Sequence, residues 1–153
     1  LGIDSISQKC KYLAFLDDDV QIPRDYFSEL IQTLKETKSI GVSGITNDVL
    51  EKKQNRKIRK MKTLFFLDSA TEGKITKGAV NIPVINTKVK NVKTEWLIGC
   101  SLWSFTHIKD LRFEYNLSGQ SVGEDVIFSL KASKKGNLYG NCAGEIMPFL
   151  FFI

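Results

Sequence analysis

The chain has 153 residues, of which 42% are hydrophobic and 25% charged, so it can bury a core of its own and is not expected to be disordered overall. No apolar run reaches the roughly 20 residues that a membrane-spanning helix needs. A net charge of +5 favours anionic partners such as nucleotides, anionic lipids or nucleic acid. The three cysteines, Cys10, Cys100 and Cys142, are too few and too far apart for a disulfide framework or a zinc knuckle, and are expected to be reduced and packed as small apolar residues. No secretory leader is legible, which points to a cytoplasmic chain. The sequence opens without Met, inside what reads as ordinary domain sequence, so a fragment is expected.

Residues 11–16 (KYLAFL) predict a short buried strand, which Asp17, Asp18 and Asp19 stop abruptly. Pro23 suits the first position of a helix, where no N–H donor is needed. Phe27, Leu30, Ile31 and Leu34 then repeat as one apolar helical face, fading by residues 38–41. Residues 40–45 (IGVSGI) predict a second strand. The polar stretch 46–63 carries Lys52, Lys53, Arg56, Lys57, Arg59, Lys60 and Lys62 and reads as a surface loop or a charged helix. A short strand is expected around 79–85. Residues 95–105 (EWLIGCSLWSF) read as a strand running into a turn or a short helix. After Gly123, a helix is expected with Val126, Ile127 and Leu130 as its packed face and Lys134, Lys135 and Gly136 at its end. Residues 137–143 complete the pattern as a strand, and the apolar tail 147–153 fits no element. The order predicts one α/β domain over 1–153, a mixed sheet flanked by helices, with 46–94 as an irregular basic region.

The three aspartates are the most informative feature. Side chains alternate along a strand, so Asp17 and Asp19 share a face if the extended geometry continues. Gathered carboxylates repel unless a cation or hydrogen bonds compensate them. Hard oxygen ligands suit Mg²⁺ or Mn²⁺, which also bind diphosphates. The alternatives are an acidic turn that caps the following helix, or a phosphatase-type acidic loop, for which Gln21 is the wrong residue. Glu124 and Asp125 open the last helix, where the dipole favours carboxylates. A carboxylate there could also act as a general base for an acceptor hydroxyl.

Taken together, residues 12–34 (YLAFLDDDVQIPRDYFSELIQTL), 95–105 and 123–136 (GEDVIFSLKASKKG) resemble glycosyltransferase family 2, of the GT-A (Rossmann-like) fold. The resemblance covers nearly the whole chain and is weakest over 46–94. It implies inverting transfer of a sugar from a nucleoside-diphosphate-sugar, a UDP-sugar first among them, to a glycan, lipid-linked or cell-surface polysaccharide acceptor. It assigns Asp17 and Asp18 to the nucleotide and its ribose. Asp19, with Asp17, would hold the Mg²⁺ or Mn²⁺. Asp125 would be the base with Glu124 in support, and Gly99, Cys100, Ser101 and Trp103 would border the acceptor. The Thr-Tyr-Asn-like opening of family members and the Gln-x-x-Arg-Trp motif of processive ones are both absent. Leu1-Gly2-Ile3 reads as the end of a family Arg-Asn-x-Gly segment. The resemblance therefore implies a domain incomplete at its N-terminus and inactive alone.

Trp96 and Trp103 could each stack on a sugar ring, with a core role equally open for Trp103 and favoured for Trp96, and His107 carries no catalytic role. Two other readings stay open. One is a non-catalytic GT-A-like domain. The other is a basic module that uses 52–62 to bind an anionic membrane surface, such as the inner face of the cytoplasmic membrane, or, less in keeping with its lack of interleaved aromatics, nucleic acid.

Overall fold

A computed structural model describes residues 3–7, 9–46, 61–69, 71–84, 89–114 and 123–148, excepting the side chains of 46 and 142–148. The basic positions 52–60, the tail 149–153 and the Cys142 side chain lie outside the described residues.

The fold is a mixed α/β sheet flanked by helices, as expected. Strand β1 (Tyr12–Phe15) is half-buried rather than buried and ends one residue before the aspartates, at Leu16, which is 51% exposed; the two-residue β2 (Val20–Gln21) follows the acidic turn. Helix α1 (Tyr26–Thr37) leads to β3 (Gly41–Thr46). The later elements are β4 (Asn91–Thr94), β5 (Ser101–Ser104), the single turn α2 (Phe105–Ile108), α3 (Glu124–Ser133) and β6 (Leu138–Pro148). The sheet runs β1-β5-β3-β6-β4, and β2 joins the end of β6. β5 runs antiparallel to both of its neighbours, whereas β3 and β6 are parallel.

Alternation along the strands sorts two cores. Leu102 and Val42 face α1, where Tyr26, Leu30, Leu34 and Cys100 join them. Trp103, Phe128, Ala132, Leu97 and Ile108 fill the opposite face, against α3. Phe128 meets Phe15 and Trp103 edge-on at 5.5 and 5.2 Å and stacks on Phe113 at 4.5 Å. β3 admits this aromatic cluster because Gly41, paired with Trp103, has no side chain. A Cβ there would lie 2.6 Å from the indole. A buried polar link ties α1 to the sheet: Asn141 donates to Thr33 (2.6 Å), and Thr33 to Asn91 (3.2 Å).

Several expectations change. α1 begins at Tyr26, not at Pro23, whose carbonyl instead accepts the Tyr26 N–H in a preceding turn. Its buried stripe is Tyr26, Leu30, Thr33 and Leu34, with Phe27 and Ile31 on its flanks. No strand runs through the described part of 79–85. Ala79 sits in a left-handed turn (φ 59°) inside a small hairpin joined by the Ile75–Asn81 bridge. Within 95–105 a strand does run into a short helix, as expected, but it covers only Ser101–Ser104, after a bend at 99–100. On α3 the expected face was wrong: Leu130 is 41% exposed, and Phe128, Ser129 and Ala132 are buried instead. The tail is not wholly outside the fold, because Met147 and Pro148 pair with Gln21 and Val20. Lys38 does close α1, in the left-handed conformation, and Lys134 caps α3.

Candidate functional site

Three segments meet at one end of the sheet. The first is the acidic turn after β1. All three aspartates are exposed, and Asp18 and Asp19 already lie in a turn, so the extended geometry that would align Asp17 with Asp19 does not continue. The second segment is 97–101, which crosses in front of Asp17 before entering β5. Gly99 lies so close that a Cβ there would meet the Asp17 carboxylate oxygens at 2.4 and 2.5 Å. The buried Cys100 thiol is 3.8 Å from Asp17 Oδ2, within the range of a weak sulfur hydrogen bond. Burial raises that thiol above its ordinary value, and the charges of Asp17 and Asp19 add to the effect against an opposing backbone hydrogen bond at Asp17.

The third segment is the start of α3. Gly123 adopts φ 93°, a left-handed conformation that turns the chain into the helix. Asp125 leads the stripe Asp125, Phe128, Ser129 and Ala132, spaced i, i+3, i+4, i+7, which packs toward the sheet. Burial raises the Asp125 carboxyl above its ordinary value. Its own backbone N–H opposes this, and the charges of Asp17 and then Glu124 raise it further. A small cleft of about 220 Å³ opens beside it, lined also by Phe15, Gly99, Ser101, Phe113 and Ser129. Asp17 and Asp125, far apart in sequence, thus lie within electrostatic range, the Asp17 charge acting on Asp125. Gly99 lines the cleft with Asp125 and on its other side abuts Asp17, which also meets Cys100.

Other expected site residues stand further back. Trp103 is 1% exposed and gives its indole N–H to Ser101 Oγ (2.8 Å), so both belong to the wall behind the cleft rather than to a sugar-stacking surface. Glu124 is half-buried beside Asp125. Trp96 is half-buried and lines a larger cleft of about 430 Å³, with Ser43, Gly44 and Val84. That cleft holds no carboxylate. The two clefts share Ile98, and the chemistry of the acidic residues belongs to the smaller one. His107 meets Ser104 at an exposed position.

Two positioning residues escaped the sequence reading. Tyr26 donates its hydroxyl to the Cys100 carbonyl (2.6 Å) and accepts the Gly44 N–H (3.0 Å). Gly44 falls at the register shift between β3 and β6, where a strand N–H loses its ladder partner, and the phenol supplies the substitute. Burial pushes this phenol well above its ordinary value, opposed by the Gly44 N–H. Ser129 accepts the Leu97 N–H (3.0 Å) and so ties α3 to the same crossing segment. Each carried a faint signal: Tyr26 adds a hydroxyl to the buried stripe of α1, and Ser129 lies one helical turn after Asp125. Tyr26→Phe is expected to cost about 1–3 kcal/mol in urea denaturation, because it leaves two buried backbone groups without a partner. An unchanged midpoint would refute this role.

Among the described residues no group of three or more His, Cys, Asp or Glu side chains is gathered to hold a metal ion. No protein-family model matches the chain, and no curated protein matches it either.

Proposed function

We propose that the chain carries the acceptor half of an inverting, metal-dependent glycosyltransferase site of GT-A type. The observation that carries the reading is Asp17 lying against the Gly99–Cys100 crossing, with Asp125, whose proton affinity burial and then the Asp17 charge raise, on the cleft that Gly99 also lines. A general base works best when its affinity for protons is raised toward the working pH. The glycine at 99 lets the Asp17 carboxylate lie against the crossing, and Tyr26 and Ser129 hold that segment still.

In this reading an acceptor hydroxyl enters the cleft and gives its proton to Asp125. Its oxygen attacks the anomeric carbon from the face opposite the diphosphate. The bond from that carbon to the diphosphate oxygen breaks, and the nucleoside diphosphate leaves with the electron pair. Configuration inverts because one displacement occurs. Asp19 and Asp17 would hold Mg²⁺ or Mn²⁺, whose chemistry is to neutralise the diphosphate charge. Asp18 would contact the ribose, and Glu124 would support Asp125.

Calorimetric titration of a nucleoside diphosphate with Mn²⁺ tests the reading, using the chain expressed within its complete open reading frame. Binding is expected to need the metal and to weaken at least about tenfold with Asp19→Ala, since charge-assisted contacts are the strong ones. Absence of nucleotide binding with either metal would leave a non-catalytic α/β domain.

A further inference from the structure

We infer that residues 61–67, with Lys77 beside them, form a ridge that docks on an anionic lipid membrane. The inference does not rest on the transferase reading. Residues 61–64 make one helical turn. It closes with the Leu67 N–H on the Lys62 carbonyl (2.8 Å) and the Phe66 N–H on the Thr63 carbonyl (3.1 Å). This is the bonding pattern of a helix end whose left-handed position favours glycine. Here Phe66 occupies it, at φ 58°. The chain thus accepts backbone strain at a position where the ring is 53% exposed.

The neighbours extend the patch. Met61, Leu64, Phe65, Phe66 and Leu67 are 47–74% exposed. The other exposed large apolar residues among those described are scattered singly, as is normal on a surface, so this run of seven positions is a patch that needs a partner. It is also mounted on the domain. Gly78 donates its N–H to the Phe66 carbonyl (3.3 Å), and Lys77 Nζ lies 5.5 Å from the Phe66 ring centroid. The hairpin that carries them is held by Glu95, which accepts from the Ile75 N–H (2.9 Å) and from Lys74 (2.6 Å).

Charge selects the occupant. Among the described residues neither Lys62 nor Lys77 pairs with a carboxylate. Residues 61–67 hold one lysine and no Asp or Glu, and Lys77 adds a second lysine, so a second copy of the same face would be repelled. Bases stack on spaced aromatic platforms, whereas this ridge is contiguous and largely aliphatic, which suits the boundary between headgroups and acyl chains. Lysines beside it would meet lipid phosphates.

Sedimentation with vesicles of phosphatidylcholine, alone or mixed with phosphatidylglycerol, tests this on the full chain. Binding to the mixed vesicles is expected to be at least about tenfold tighter and to weaken with added salt, as an electrostatic contribution from a few basic side chains requires. The double substitution Leu64→Ser and Phe65→Ser should remove most of it, and Lys62→Gln with Lys77→Gln should reduce it. Phe66→Gly should reduce it too while the circular dichroism spectrum stays that of the folded chain, because glycine relieves the left-handed strain. Equal binding to neutral and anionic vesicles, or binding that survives Leu64→Ser and Phe65→Ser, would overturn the inference. So would a single-stranded RNA bound more tightly than the vesicles, or a dimer that the same substitutions dissolve.

Discussion

On the proposed reading, replacing Asp125 by Asn in the chain expressed within its complete open reading frame is expected to lower the rate of sugar transfer by about 10²–10⁴-fold, the usual contribution of a positioned general base, while raising the melting temperature at neutral pH. Both effects have one cause. Burial first, then the charges of Asp17 and Glu124, make the ionised carboxylate unfavourable in the folded chain. The folded state therefore holds this proton more tightly than the unfolded state, where the ordinary value is 3.8. The sign follows from linkage. The stability this group allows is fully present below the unfolded value and is lost as pH rises through the raised folded one. Asparagine keeps the shape and cannot ionise, so the variant should lose that slope and melt higher at pH 7. The kcat/KM profile of the parent should fall on the acid side as Asp125 takes up its proton. Full activity in Asp125→Asn would remove it from the base role. A loss of activity together with a loss of stability would make it structural.

Gly99→Ala should do comparable harm to function with little harm to the fold. An ideal Cβ at 99 would lie 2.4 and 2.5 Å from the Asp17 oxygens and 2.7 Å from its Cγ, closer than real contacts allow. Asp17 is exposed at the end of β1, so its side chain can swing into water and relieve the clash. The denaturation midpoint should thus stay within roughly 0.5 kcal/mol of the parent, as for ordinary surface changes. The carboxylate, however, leaves its place against Cys100. Misplacing a reacting group by about 1 Å can cost roughly a hundredfold, and kcat/KM should fall by that order. If turnover and metal-dependent nucleotide affinity were unchanged, the position of Asp17 would not matter and the site would have to be sought elsewhere, first in the Trp96 cleft.

The acidic turn, the helix after it and the carboxylates at the start of α3 were legible because each is a local signal. An apolar run ends in charge, a helical period repeats, and a Gly-Glu-Asp sequence precedes another helix. The buried face of α3 was not. Val126, Ile127 and Leu130 look more apolar than a stripe led by Asp125 and containing Ser129. The helix nevertheless turns that stripe inward, because Phe128 joins Phe15, Phe113 and Trp103 and Ser129 holds Leu97. Trp103 left a core role and a sugar-stacking role equally open in the sequence, and its strand parity and Gly41 send it into the core.

Sequence alone determined the order β1, α1, β3, α3 and β6 and the identity of the acidic groups, since these rest on side-chain period and on charge next to apolar runs, whereas β2 and β4 were not legible. Only the tertiary structure decided which strands pair, that Asp17 meets Gly99 and senses Asp125, and that Tyr26 bridges a bulge to the crossing segment. Those contacts join residues scores of positions apart. They depend on sheet order and on how each helix rotates to bury its aromatic and apolar bulk, which no local window of the chain contains.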